Sequence, residues 1–139
     1  MNQYAIQLGA GPWLSLAAGV VPELLLAPRV SKVVNASPDI HGLVNLRGVP
    51  VLILDPARAL GVTATDKRRV LVLDRDQEAI AVLIVGEPKL LGDWLEGAQE
   101  QAVPAPLAPF VSRLGRGDAG DVGEFDHRGF LKAIAGVSL

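Results

Sequence analysis

The sequence contains no cysteine among its 139 residues. This absence excludes disulfide bonds, thiolate metal sites and cysteine nucleophiles, and it agrees with a reducing compartment. The longest apolar runs, residues 49–54 and 79–85, are too short to cross a bilayer. No basic N-terminal segment leads into an apolar core, as it would in an export signal. We therefore expect a cytoplasmic protein without direct membrane insertion.

Positive charge and aromatic side chains are also scarce. The formal net charge is −2, the isoelectric point is about 5.6, and the basic cluster at residues 67–69 is only three residues long. This balance gives no positive field toward a phosphate backbone, so nucleic acid is not an expected partner. Because aromatics make up 4% and hydrophobic residues 50%, the core must be aliphatic. The aliphatic excess fits either a well-packed core or an exposed protein-binding face.

Catalytic chemistry has little support in the sequence. The two histidines, His41 and His127, each lie in a predicted turn beside an acid, Asp39 and Asp126 respectively. A histidine can carry protons near neutral pH, but no nucleophile stands at a motif spacing, so we interpret both as surface turn residues. There is no phosphate-binding glycine loop, and the acids of the glycine-rich segment 115–121 lack calcium-loop spacing, so we expect a solvated loop there. The sequence predicts no enzyme, cofactor or metal site.

Short β-rich segments separated by turn residues occupy most of the chain. Segments 3–8 and 13–17 flank a Gly/Pro turn, and segments 69–74 and 79–85 flank a charged turn. Each pair predicts a β-hairpin. Many closely spaced strands with almost no helix favour an all-β fold, either one sandwich or two small barrels with interleaved strands. A parallel α/β sheet is excluded because crossover helices are lacking.

The most specific stretch is residues 42–55, which read GLVNLRGVPVLILD. Its run 49–54 is apolar throughout, which predicts a strand buried on both faces. Pro50 near the start of this strand predicts that one side of the hydrogen-bond ladder is unpaired there, because proline has no N–H. Asp55 then serves as the predicted N-cap of a short helix over residues 57–60.

Two segments before this stretch are less regular. Residues 20–26 form an apolar segment in which Glu23 stands beside Pro22, and their pattern fits either a strand or a short helix. Ser37 followed by proline predicts one short helical turn that reaches His41.

The last third of the chain has weak signals. Residues 92–109 are rich in proline and predict a stiff connector without long regular structure. Residues 126–129 predict a turn that leads into a last strand over residues 130–134. No C-terminal helix is expected.

Asn45 and Arg47 are the polar residues between the two apolar runs of the most specific stretch. Strand alternation would place both side chains on one face. A guanidinium carries a rigid fork of donors on an apolar stem and is enriched in interfaces, which favours a partner contact. The alternative is an internal ion pair between Arg47 and either Glu23 or Asp55. The sequence leaves both interpretations open.

The stretch 42–48 resembles the signature of the CheW-like domain, the adaptor module of bacterial chemotaxis and related chemosensory arrays. The segment 21–24 (VPEL), the opening hairpin with Trp13 and the hairpin at 70–85 are also similar to that family. The resemblance covers most of the chain and implies a single CheW-like domain over residues 1–139. Its implied fold is two five-stranded SH3-like β-barrel subdomains that share a hydrophobic core, with few short helical turns.

The resemblance also implies a function based on binding. Members of the family link the regulatory domain of a histidine kinase to the cytoplasmic tips of receptors, and they carry no catalytic residue. The residues expected at the partner contacts are Arg47, Asn45, Leu46, Val44 and Glu23.

This sequence departs from the family pattern at two positions. Its proline stands at Pro50 rather than two residues later, and Gly86 replaces an aspartate. These departures favour a divergent member, in chemotaxis or a type IV pilus-type system. The alternative is a CheW-like scaffold that forms a homo-oligomer and no longer couples kinase to receptor. An enzyme that acts through either histidine is the least favoured interpretation.

Overall fold

The computed structural model describes residues 3–63, 67–75, 78–97 and 102–136. These residues form two β-sheets and two α-helices. The strands are β1 (Gln3–Ile6), β2 (Trp13–Ser15), β3 (Glu23–Leu24), β4 (Val30–Ser31), β5 (Ile40–Leu46), β6 (Val49–Leu54), β7 (Arg68–Leu73), β8 (Ile80–Val85), β9 (Lys89–Leu91), β10 (Leu95–Glu96), β11 (Val111–Gly117) and β12 (Gly120–Phe125). The helices are α1 (Ala57–Leu60) and α2 (His127–Ala135), and a 3-10 turn covers Ala108–Phe110.

One sheet comes from the middle of the chain and the other from its two ends. The middle sheet has the order β3-β7-β8-β6-β5-β4, and the end sheet has the order β10-β11-β12-β2-β1-β9. Each sheet counts six strands in the described residues, against five expected per subdomain, because the count includes two-residue strands such as β3, β4 and β10. The mostly β fold class is as predicted.

The two sheets share a pattern of strand pairing. In the middle sheet, the hairpins β5–β6 and β7–β8 are joined by parallel pairing of β6 with β8. In the end sheet, the hairpins β1–β2 and β11–β12 are joined by parallel pairing of β12 with β2. The chain leaves the end sheet after β2, completes the middle sheet and returns to the end sheet at β9. The middle sheet is therefore one continuous segment, and the end sheet combines segments from before and after it.

The apolar runs of the middle sheet are buried on both faces. The side chains of β6, β7 and β8 that face the end sheet and α2 include Leu54, Leu71, Leu73, Val82 and Ile84. Those on the opposite face pack in a second cluster within the middle sheet: Val51, Ile53, Val70, Val72, Ala81 and Leu83. Since neighbouring strand residues point to opposite faces, both faces must be apolar. The prediction of burial on both faces is confirmed for residues 51–54, of which Leu52 is half-buried, whereas Pro50 is exposed.

The shared core between the sheets is closed by the few aromatic residues of the C-terminal part. Phe130 of α2 lies 5.8 Å from Phe110 and 5.7 Å from Phe125 between ring centroids, and it is almost completely buried. Leu131 is buried beside it. The helix therefore contributes to the core and is not an appendage of the sheets.

Several local predictions are confirmed. Both hairpins form, and α1 ends at Gly61, which adopts a left-handed φ of 67°. Pro50 stands where β6 lacks its second neighbour, because β8 pairs with β6 only from Ile53 onward. The N-cap position of α1 is Pro56 rather than Asp55, but the Asp55 carboxylate accepts a hydrogen bond from the Ala57 backbone N–H at 3.0 Å.

The predicted helical turn from Ser37 to His41 is wrong. Ser37 Oγ accepts a hydrogen bond from the Asp39 backbone N–H at 3.0 Å, which makes a tight turn. Strand β5 begins directly afterwards at Ile40, so His41 is an exposed strand residue. The ambiguous segment 20–26 contributes the short strand β3.

The predicted last strand over residues 130–134 is also wrong, as is the turn over 126–129. Residues 127–135 form α2, whose N-cap Asp126 accepts a hydrogen bond from the Gly129 backbone N–H at 3.0 Å. The apolar positions of this segment fall on one face of a helix, and a short apolar run fits both structures until its caps are recognised. The glycine-rich segment 115–121, expected to be a loop, is mostly strand in the hairpin β11–β12.

Candidate functional site

A groove of about 700 Å³ opens at one end of the middle sheet. Strand β3, the turn between β5 and β6, and the chain that follows β7 form its walls. Its lining residues are Val21, Pro22, Glu23, Leu24, Leu46, Arg47, Val49, Val51, Asp74, Arg75 and Ala79. The groove thus brings together three residues of the predicted site, Glu23, Leu46 and Arg47, among both aliphatic and charged side chains.

The turn between β5 and β6 fixes the position of Arg47. Leu46 pairs with Val49, so Arg47 and Gly48 are the two turn residues, with φ values of 50° and 86°. Positive φ at both positions is characteristic of the type I′ turn, whose twist matches that of the flanking strands. Asn45 Oδ1 accepts a hydrogen bond from the Gly48 backbone N–H at 2.8 Å. Asn45 therefore stabilises the turn, and the expected alternation of Asn45 and Arg47 along one strand is wrong because Arg47 lies beyond the strand.

Arg47 forms a two-pronged ion pair with Glu23 of β3. Its Nη1 donates to Glu23 Oε2 at 3.1 Å, and its Nη2 donates to Oε1 at 3.0 Å. The Arg47 side chain is 70% exposed and that of Glu23 is 43% exposed. The hydrogen bonds from Arg47 lower the pKa of the Glu23 carboxyl, and the charge of Arg75 adds a smaller lowering. Glu23 is therefore ionised at neutral pH.

The two apolar residues of the predicted site differ in exposure. Val44 is buried within the middle sheet, in the cluster that also contains Val51. Leu46 is half-buried and lines the groove beside Val49. A partner in the groove would contact Leu46 directly, whereas Val44 supports the strand from inside.

Asp55, the other predicted partner of Arg47, lies at the opposite end of β6 and binds Arg68 instead. Both Asp55 oxygens accept from the Arg68 guanidinium, with Arg68 Nη2 at 3.1 Å from Asp55 Oδ2. The two side chains are only 20% and 13% exposed. Burial raises the pKa of Asp55, but the hydrogen bonds from Arg68 and the Ala57 backbone outweigh it, and the pKa is lowered. This pair joins β6 to β7 away from the groove.

The remaining wall of the groove contains charged residues that the sequence analysis missed. Asp74 directly follows β7, has a positive φ of 65°, and has a side chain that is 9% exposed. Asp74 Oδ2 accepts from His127 Nε2 at 2.9 Å and from Arg128 Nε at 3.0 Å. Arg128 Nη2 also donates to Glu78 at 2.9 Å. The partners lie 50 to 54 positions apart in the sequence, so no local sequence signal pointed to these contacts.

The electrostatics of Asp74 follow from these contacts. Burial raises its pKa, whereas the hydrogen bonds from Arg128 and then His127 lower it, and the net effect is a lowered pKa. His127 is buried, so the expectation of a surface turn histidine is wrong. The pair Asp74 and His127 also lines a second cavity of about 640 Å³ between the end sheet and α2.

Other classes of site find no support in the described parts of the chain. Among those residues, no group of three or more His, Asp or Glu side chains is arranged to hold a metal ion. The helices in the same residues are not long and apolar enough to span a membrane. The groove with its exposed ion pair is the strongest candidate site for binding.

The fold and the groove together define a small two-sheet β domain with a surface suited to protein contacts. The family model described as "CheW-like domain" matches residues 9–92, which is more than half of the chain. The chain belongs to the CheW-like domain family. The match runs from the turn before β2 to the end of β9 and stops before α2.

A solved structure shares this fold. The scaffolding protein TtCheW from Thermoanaerobacter tengcongensis superimposes with a TM-score of 0.65, at 14% sequence identity, over 90% of this chain and 88% of that one. The likeness identifies the fold as that of CheW, in which the two sheets belong to two SH3-like subdomains. A search of curated proteins found no significant match.

Proposed function

We propose that this protein is a noncatalytic adaptor that couples a chemosensory histidine kinase to receptor cytoplasmic tips through protein contacts. It acts in the cytoplasm, in chemotaxis or type IV pilus-type signalling. The observation that carries this proposal is the exposed pair of Arg47 and Glu23 in a groove that also presents aliphatic side chains. Family membership supports the class of function.

Energetics favour a binding role for Arg47 over a structural one. An exposed ion pair contributes only about 0 to 1 kcal/mol to stability. A residue other than glycine or asparagine in the left-handed region costs about 1 kcal/mol or more, and Arg47 has a φ of 50°. The two terms roughly cancel, so the ion pair gives folding little net gain. A fixed guanidinium beside aliphatic side chains is instead well suited to bind a partner.

Binding of the Arg47→Ala variant to the isolated regulatory domain of the cognate kinase, and to a soluble receptor tip, tests the proposal. We expect the Kd for at least one of the two to rise about tenfold or more, as for interface hot spots, with the melting temperature nearly unchanged. Arg58→Ala is the matched control, since Arg58 is an exposed arginine on α1 outside the groove. Wild-type protein that binds neither partner at micromolar concentration would contradict the proposal.

A second candidate function is a self-associating scaffold that no longer couples kinase to receptor. Large apolar side chains that are more than 80% exposed favour it, namely Leu26, Val34 and Leu95. Exposed apolar surface of this kind commonly marks association sites. Sedimentation of the purified protein alone distinguishes the two candidates. A stable oligomer supports the scaffold, and a monomer supports the adaptor.

A further inference from the structure

One wall of the groove depends on contacts from outside the middle sheet. That wall follows β7, where Asp74 adopts a left-handed φ of 65° and Arg75 comes next. Aspartate adopts this backbone conformation more readily than most residues other than glycine, and here its side chain is also held in place by its surroundings. The side chains that hold Asp74 come from α2, at the far end of the chain.

Side chains in the first turn of α2 bind Asp74, which follows β7, and Glu78, which precedes β8. His127 and Arg128 donate to the same oxygen of Asp74, at 2.9 and 3.0 Å, and Arg128 reaches Glu78 at 2.9 Å. Asp126, at the N-cap, orders the same turn of helix by accepting from Gly129. We call Asp74, Glu78, His127 and Arg128 the anchor cluster.

The anchor cluster adjoins the groove that contains the ion pair. Asp74 lines both the groove and the second cavity beside α2. Its neighbour Arg75 also lines the groove, and the charge of Arg75 acts on Glu23, the partner of Arg47. Asp74, which α2 binds, is therefore the chain neighbour of a groove residue, Arg75, and the groove also contains the Glu23 carboxylate.

Burial within the cluster argues for a positioning role. Asp74 and His127 are 9% and 6% exposed, so they fix the position of the chain at Asp74. Arg128 is 44% exposed, and an ion pair at such a site adds little to global stability. Its guanidinium nevertheless binds two carboxylates, those of Asp74 and Glu78, and this arrangement restricts how far these two residues can move from α2.

We propose that α2 sets the shape of the groove through the anchor cluster, with His127 and Arg128 as positioning residues. Detachment of the first turn of α2 would loosen the wall at Asp74 and Arg75 and weaken binding in the groove. The C-terminal helix is then a point at which partner binding can be regulated. The expected effect of α2 on partner binding rests on the proposed adaptor function. Its effect on the structure of the groove can be measured without any partner.

The partner-independent test compares Arg128→Ala, Arg128→Lys and wild type by two-dimensional ¹H–¹⁵N NMR and amide hydrogen exchange. We expect Arg128→Ala to shift the signals of Arg75 and Glu23 and to speed their exchange severalfold, and Arg128→Lys to restore both in part. Lys132→Ala is the control because it removes the same charge from the same helix, and Lys132 forms no ion pair within the described residues. Unchanged Arg75 and Glu23 signals in Arg128→Ala would overturn the proposal. So would uniform changes over the whole chain with a large loss of thermal stability.

Measured affinity for the isolated kinase regulatory domain or the receptor tip separates this proposal from the adaptor function. If Arg47→Ala and Arg128→Ala both weaken binding and Lys132→Ala does not, both proposals are supported. If Arg47→Ala weakens binding but Arg128→Ala leaves the NMR signals of the groove unchanged, the proposed role of the anchor cluster is contradicted and the proposed adaptor function is supported. If Arg128→Ala alters the NMR signals of the groove but neither variant weakens binding, the proposed role of the anchor cluster is supported and the groove is not the binding site.

Discussion

The two ends of strand β6 carry the same chemistry with opposite exposure. Before the strand, Arg47 donates two hydrogen bonds to Glu23, and the two side chains are 70% and 43% exposed. After the strand, Arg68 also donates two hydrogen bonds to a carboxylate, that of Asp55, but both side chains are mostly buried. Removal of one partner from a buried arginine–carboxylate pair is costly because it leaves a buried charge unpaired, whereas an exposed pair contributes little. The comparison therefore assigns stability to the Asp55 end and binding to the Arg47 end.

The largest effect on stability is expected from Arg68→Ala. This change leaves the mostly buried Asp55 carboxylate without its guanidinium, which we expect to cost about 2 to 3 kcal/mol in the free energy of unfolding. For a chain of this size, that corresponds to a drop in melting temperature of about 10 °C. Differential scanning calorimetry and urea unfolding measure it. An effect as small as that of Arg47→Ala would remove the distinction between the two ends.

Acidic pH should also distinguish the two ion pairs, with the larger effect on stability from the pair of Asp55 and Arg68. The pKa of Asp55 is lowered by the hydrogen bonds from Arg68 and Ala57 in spite of burial. A carboxyl whose folded pKa is depressed adds stability that is present above its unfolded pKa of about 4. This stability is lost as the pH falls through the lower folded pKa.

Urea unfolding between pH 6 and about 2.5 checks this sign, because the window spans the carboxyl pKa range. We expect wild type to lose stability on acidification below about pH 4, and Arg68→Ala to lose less because its Asp55 no longer has the arginine partner. Arg47→Ala should depart from wild type in the same direction but by less, because the exposed pair of Arg47 and Glu23 is screened by solvent. Parallel curves for wild type and Arg68→Ala would contradict the role assigned to the buried pair.

The contrast between the two sheets shows how much of the fold was predictable. The hairpin β7–β8 of the middle sheet and the opening hairpin of the end sheet follow from turn residues between apolar runs, and these two were predicted correctly. The hairpin β5–β6 was not predicted, because Asn45 and Arg47 were interpreted as residues of one strand. The parallel pairing of β12 with β2 joins residues more than a hundred positions apart, and no local pattern encodes it. Helix α2 was missed because a five-residue apolar run fits either period, and its cap at Asp126 was interpreted as a turn.

The candidate site shows the same division. An ion pair of Arg47 with either Glu23 or Asp55 was one of the two interpretations that the sequence left open, and the structure pairs Arg47 with Glu23. Asp74, Arg75 and His127 were missed because their placement depends on α2 docking against the middle sheet. Polar residues that act through contacts distant in sequence carry no periodic signal. Sequence reasoning therefore identified one wall of the groove and not the other.

A charge swap sharpens the distinction at the Arg47 end. The double variant Glu23→Arg with Arg47→Glu can still form an ion pair between β3 and the turn, so we expect its stability to lie within about 1 kcal/mol of wild type. We expect partner binding to be lost, because the guanidinium no longer projects from the turn. Calorimetric unfolding and titration with the kinase regulatory domain measure both. Restored binding in the double variant would show that the pair acts only by joining the two segments.

The smallest change in stability, and the most selective test, is Arg47→Asn. Asparagine accepts the left-handed conformation more readily than arginine, and Asn-Gly is the preferred pair in a type I′ turn. The gain in the turn, about 0.5 to 1 kcal/mol, should offset the loss of the exposed ion pair, so the melting temperature should stay the same or rise slightly. Binding should nevertheless fall as far as in Arg47→Ala, since both variants lack the guanidinium. A variant that is as stable as wild type but does not bind would show that the arginine is placed in this turn at a cost to the backbone and serves the partner. Binding at the wild-type level would instead leave the turn, rather than its charge, as the feature that the partner contacts.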